Sequence, residues 1–184
     1  MDKYYYMVAQ LPTLVFDRDP GMDIPTFLEE AGKWLSRRDF DALKDADLND
    51  LDTEKGETKT LRSYRDFEHS LRYGIAAWRR SMRGGEALRR PDFPASLVKE
   101  GNPLDVEKKF LRHRWDFIEA METEHDFDLD FLILYFLKLQ ILDRLSRFDA
   151  KRGIASYDDI VGAEYVAGDP SSSGSTEKDD HDST

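Results

Sequence analysis

Residues 126–149 read DFDLDFLILYFLKLQILDRLSRFD. The first half of this stretch is apolar on every side of a helix, and the second half on one side only. Asp128 stands where an N-cap belongs, and Lys138, Arg144 and Arg147 lie toward the far end. A helix apolar all round has to be enclosed by other helices, so this segment is expected to be the axis of a bundle. It is expected to run from Leu129 to about Phe148.

The helices around it are read from period and punctuation. Residues 4–16 (YYYMVAQLPTLVF) are apolar and aromatic, interrupted by Pro12, and fit a short helix or extended segment packed on the bundle. Pro25 is suited to a first turn, and Thr26 with Glu29 has capping-box spacing, which predicts a helix to about Leu35. Ser36 and Asp39 repeat the cap spacing before a shorter helix to about Lys44. Residues 45–58 are acidic, lack a stripe and are expected to form a loop.

From about Lys59 to Arg83, Tyr64, Phe67, Leu71, Ile75, Trp78 and Met82 recur at three- and four-residue spacing, a core-facing stripe ended by Gly84–Gly85. Residues 89–103 contain three prolines and read as a loop. Asn102–Pro103 then opens a helix to about Glu124, with Val106, Phe110, Phe117 and Met121 as its stripe, widened by Leu111 and Ile118. Gly153 ends the axial helix, and Ser156 with Asp159 caps a last helical turn. No run alternates as a strand does. The expected fold is all-α, a compact helical bundle around the buried C-terminal helix: a single domain over residues 1–167, followed by a disordered acidic tail over 168–184.

Composition narrows the function. The chain has 184 residues, 35% of them charged, a net charge of −11 and no cysteine. Disulfide and thiol chemistry are therefore excluded, and a reducing cytoplasm suits the composition. Within the tail, Asp169, Glu177, Asp179, Asp180 and Asp182 stand against Lys178, so the folded part remains acidic. Such a body repels phosphate backbones and anionic lipid, which argues against nucleic acid as a partner. The opening MDKYYYMVAQLP lacks a basic region before an apolar run and a small-residue cleavage site. The longest apolar run, Phe131–Leu137, is far shorter than the ~20 residues of a membrane span. The expectation is a cytoplasmic protein without direct membrane insertion.

Several constellations invite chemical readings. Asp66 with His69 and Glu122 with His125 have the carboxylate-x-x-His spacing of di-iron bundle sites. Asp66 and His69, however, point away from the stripe of their helix, toward water, so no metal site is expected. Asp126, Asp128 and Asp130 resemble half of a calcium loop, but Phe131 and Leu137 occupy the positions that need glycine and glutamate. They suit the negative first turn of the axial helix instead. Phosphate-cradling glycine loops, a Ser-His-Asp arrangement and HExxH are absent. No catalytic residue, cofactor or metal is therefore assigned.

Two sets of charged residues remain. Arg79, Arg80, Arg83, Arg89 and Arg90 cluster around Gly84–Gly85. They complement a helix C-terminus, or they form a docking patch for an acidic protein surface. Lys138 falls amid Phe131, Leu134, Tyr135, Ile141, Leu142 and Leu145, so it either extends its amine to an edge or meets a carboxylate of a flanking helix, Glu68 being one candidate. No partner group supports it as a catalytic amine.

YYYMVAQLPTLVFD with DIPTFLEEAGKWLSRRD, and above all FLRHRWDFIEAMETEHDFDLDFLILYFLKLQILDRLSRFD at residues 110–149, resemble an uncharacterised family typically encoded beside bacterial V/A-type ATP synthase genes. The C-terminal helix is distantly similar to the C-type central-stalk coupling protein of those enzymes, which joins the soluble rotary motor to the membrane ring. The resemblance implies a noncatalytic, single-module counterpart of that stalk protein. Its implied partners are other V/A-type ATP synthase subunits, and its implied place is the cytoplasm, peripheral at the inner face of the membrane through that complex. A helical adaptor or assembly factor for the same complex is the alternative, and a metal-dependent bundle enzyme the third.

Overall fold

The computed structural model describes residues 2–49, 58–84, 96–99 and 101–148. Every regular element among them is helical: α1 (Asp2–Gln10), α2 (Ile24–Trp34), α3 (Arg37–Lys44), α4 (Lys59–Met82), α5 (Ser96–Lys99), α6 (Pro103–Glu122) and α7 (Leu129–Ser146). The helical turn expected at Ser156–Asp159, the domain end at 167 and the acidic tail from 168 lie outside the described residues.

Helix α7 is the axis. Its residues Leu132 to Leu139 are buried without a gap, after which only Ile141, Leu142 and Leu145 are buried. That change from all-round to one-sided burial follows the apolar pattern of the sequence. Helices α2, α3, α4 and α6 all pack against it. A fully buried Leu or Ile side chain contributes about 1.5–3 kcal/mol, and Leu132, Ile133, Leu134 and Leu137 are each at 0% exposure. Rings fill the spaces between helices: Phe27 stacks on both Tyr135 and Phe136 at 5.4 Å. Between α4 and α6, Phe67 lies flat on Phe117 at 4.0 Å.

The caps show how the chain is punctuated. Asp128 Oδ1 accepts the Phe131 N–H at 2.7 Å and starts α7. Ser36 starts α3, its Oγ accepting the Asp39 N–H. Asn102 and Asp105 form a reciprocal capping box at α6. Gly101 ahead of it has φ 112, and a Cβ there would sit 2.9 Å from Asp105 Cβ, so glycine alone fits. At α2 the cap is Asp23, whose carboxylate accepts the Thr26 N–H, so the helix opens before the expected Thr26–Glu29 box.

Non-helical backbone is tied to α7 by side chains. Gln140 uses both ends of its amide on one turn: Nε2 donates to the Ala46 carbonyl at 2.7 Å, and Oε1 accepts from the Leu48 N–H at 3.0 Å. The Tyr135 hydroxyl donates to the Pro12 carbonyl at 2.9 Å, fixing the crossing after α1. Each bond satisfies a backbone group that would otherwise face an apolar helix.

Two features depart from the sequence reading. Met82, placed in the stripe of α4, is 69% exposed. Among the described residues, the C-terminal half of α4 packs on a small satellite cluster of Leu71, Ile75 and Trp78 with Phe110, Val106, Leu97 and Val98, which does not include Met82. Within the stretch expected to be a loop, Ser96–Lys99 forms the short α5, because Leu97 and Val98 supply that cluster.

Candidate functional site

The most buried charge in the described chain is Glu68, at 0% exposure on α4. It sits four residues after Tyr64 and three before Leu71, both buried, so the phase of the helix carries the carboxylate into the core. Arg114 of α6 meets it with a two-pronged grip, Nε to Oε2 at 2.8 Å and Nη2 to Oε1 at 2.8 Å. Arg72, one turn along α4, adds Nε to Oε1 at 2.8 Å and reaches the Asn49 carbonyl at 3.3 Å. Burial alone would raise the Glu68 pKa, but the Arg114 hydrogen bonds and charge, then those of Arg72, pull it below the usual carboxylate range. The Tyr64 hydroxyl is buried in the same field with no hydrogen-bond partner among the described residues, and burial pushes its pKa up, with the Glu68 charge adding to the effect.

A second ion pair joins α6 to α7. Lys138 of α7 is buried, and its amine donates to Glu122 Oε2. The same ammonium stands over the Trp115 ring, 5.1 Å from its centroid. The expected partnership of Lys138 with Glu68 is therefore corrected. Lys138 does meet a carboxylate of a flanking helix, but that carboxylate is Glu122, because α7 turns Lys138 toward the C-terminal end of α6. Glu68 faces the middle of α6 and belongs to Arg114.

These pairs differ in what replacement does. Lys138→Met should change the melting temperature by no more than about 3 °C, since it puts an apolar side chain at the buried position and the Glu122 carboxylate left behind is part-exposed and can reach water. Glu122→Ala should cost more, about 2 kcal/mol, because it leaves the Lys138 ammonium buried beside Trp115 without a counter-charge. Thermal melts of the two variants check the order, and equal effects would show that the pair does not act as a unit.

The carboxylate-x-x-His spacings do not converge. Asp66 and His69 are exposed on α4, as their helical phase predicts. Glu122 goes to Lys138, whereas His125 turns the other way: Nδ1 contacts Asp128 Oδ2 at 2.9 Å and Nε2 contacts Thr60 Oγ1 at 3.2 Å. Donor atoms of His125, Asp128 and Asp130 all lie within 4.8 Å of one another, a set with the composition of a metal site. Both ring nitrogens of His125 are engaged by protein groups, and the second oxygen of Asp128 caps α7. Bracing the entry to α7 against the start of α4 is what those contacts accomplish.

Of the five arginines expected as a docking patch, Arg79, Arg80 and Arg83 are exposed at the end of α4. They make no ion pair among the described residues, and Arg89 and Arg90 lie outside them. From Leu71 to Gly84 the sequence carries four arginines and no acid, a reversal of sign on an acidic chain.

Sequence reasoning missed Arg114 and Trp115. Arg114 is spaced four from Phe110, three from Leu111, three from Phe117 and four from Ile118, so the argument that singled out Lys138 applied equally to it. Trp115, at 2% exposure, is spaced four from Leu111 and three from Ile118 and widens the buried face of α6.

The surroundings of α6 and α7 are also where a comparison with known families finds a match. Residues 96–164 match DUF2764, a protein family of unknown function. The DUF2764 segment includes α5, α6 and α7, and with them Arg114, Trp115, Glu122 and Lys138; Glu68 and the α4 arginines precede it. No curated protein and no solved structure matches the chain.

Proposed function

We propose that this chain is a noncatalytic component of a bacterial V/A-type ATP synthase or ATPase, a central-stalk protein of the C type that couples the soluble motor to the membrane ring. The observation that carries the reading is the enclosure of α7. Eight consecutive buried residues on one helix, gripped by four others, make a stiff body. Close-packed interiors transmit strain because they compress little. Glu68–Arg114 and Lys138–Glu122 each join two helices by a directional contact, which resists sliding of one helix along another. The resemblance of residues 4–17, 23–39 and 110–149 to a family encoded beside such ATPases supplies the partner class. The exposed Arg79, Arg80 and Arg83 provide a basic surface for an acidic partner protein.

No helix among the described residues is long and apolar enough to cross a membrane, so attachment in this reading goes through protein partners. Co-expression with the soluble subunits of a V/A-type ATPase, followed by affinity capture and gel filtration, tests it. The chain should elute with the rotary subcomplex at fixed stoichiometry, and Arg79→Glu with Arg80→Glu and Arg83→Glu should release it. Capture of assembly intermediates alone would assign it to the adaptor or assembly-factor class instead. Absence from every subcomplex would reject both.

A further inference from the structure

A second surface stands apart from the α4 arginines and does not depend on the rotary-ATPase reading. Three large rings are exposed together: Tyr5 at 53%, Tyr6 at 54% and Phe127 at 49%. With Trp34 they form an unbroken chain of ring contacts. Phe127 lies 4.9 Å from Tyr5, Tyr5 lies 5.9 Å from Tyr6, and Tyr6 stacks on Trp34 at 5.8 Å. These rings come from α1, α2 and the turn between α6 and α7, so the fold gathers residues far apart in sequence. Exposed aromatics that touch one another are what interface hot spots are made of.

The charge around the rings is uneven. Phe127 lies within Glu122–Asp130, a segment with five acids and no lysine or arginine. Glu122 is committed to Lys138 and Asp128 to His125; of the other three, Asp130 is half-buried, while Glu124 and Asp126 are exposed beside the ring and make no ion pair among the described residues. At the other end, Lys33 of α2 is closed on Glu29 and Glu30, while Arg37 and Arg38 follow Trp34. The Phe127–Tyr5 end is thus acidic and aromatic, a combination that attracts cations both by charge and through the ring faces. The Tyr6–Trp34 end offers apolar stacking surface.

Steps of 4.9 to 5.9 Å between rings also match the ~5.4 Å pitch of an α-helix. We propose that this ring chain is the docking site for an amphipathic helix of a partner protein, with lysine or arginine toward Phe127 and apolar side chains toward Trp34. An anionic lipid surface is a poor occupant, since Glu124 and Asp126 repel it.

Fluorescence anisotropy on the full chain tests this, using a labelled amphipathic peptide of about five helical turns built from leucine and lysine, and its glutamate counterpart. The lysine peptide should bind and the glutamate peptide should not. Tyr5→Ala with Tyr6→Ala should weaken binding at least about tenfold. Glu124→Gln with Asp126→Asn should weaken it several-fold and flatten its salt dependence. Tyr73→Ala, a still more exposed ring on α4, should change nothing. Equal binding of both peptides, or unchanged binding in the Tyr5/Tyr6 variant, overturns the proposal. So does self-association, or capture by phosphatidylglycerol vesicles, that disappears with the same two substitutions.

Discussion

Arg114→Met should lower the melting temperature by roughly 6–12 °C. Removing one partner of a buried ion pair costs about 3 kcal/mol or more, and each kcal/mol is worth about 2–4 °C in a chain of this size. The reason lies in Glu68, which has no exposure to water and holds its charge because Arg114 grips both carboxylate oxygens. Arg72 would remain, but it is half in solvent and reaches only one oxygen. Glu68→Met together with Arg114→Met should recover most of the loss, because neither member of the pair is then left buried without the other. If Arg114→Met alone melts within about 2 °C of the parent, the pair is not what joins α4 to α6.

The same pair sets an acid limit. The Glu68 pKa is lowered in the folded chain, so its contribution to stability is complete above the unfolded carboxylate value of about 4.3 and is lost as pH falls through the folded value. With Arg114→Met the opposing effect of burial gains weight, the folded pKa rises, and acid unfolding should begin at higher pH. Circular dichroism followed from pH 7 downward would show it.

Trp115→Ala should be the most damaging single truncation in the core. This ring is 2% exposed, packs edge-to-face with Phe16 at 5.6 Å and carries the Lys138 ammonium over its face. Truncation removes the transfer energy of a large ring, leaves a cavity, and strips one of the two groups that stabilise a buried lysine. A loss of about 3–5 kcal/mol follows, read as a fall of about 1–2 M in the urea midpoint. Trp115→Phe keeps a ring under Lys138 and should cost less than half as much. A midpoint unchanged by Trp115→Ala would mean that α6 can close the gap, contrary to the packing described above.

How much of this the sequence reveals depends on how local each cause is. Helix α7 is legible because its apolar residues surround it, so every rotation about its axis leads to the same conclusion: enclosure. Ser36, Asn102 and Asp128 are legible as caps because a cap bonds backbone three residues away. Met82 misleads because period alone gives the side of α4 that faces inward and not how far along α4 a neighbour extends.

By itself, then, the amino-acid order determined the all-helical class, the central place of α7, most helix boundaries, and the position of Lys138 amid apolar residues of α7. Tertiary structure decided which carboxylate meets which cation, and it alone collected Tyr5, Tyr6, Trp34 and Phe127 on one surface. The physical reason is that helical period fixes the direction of a side chain from its own axis, whereas a partnership also needs the height and rotation of the second helix. Those two quantities come from the packing of all the helices at once.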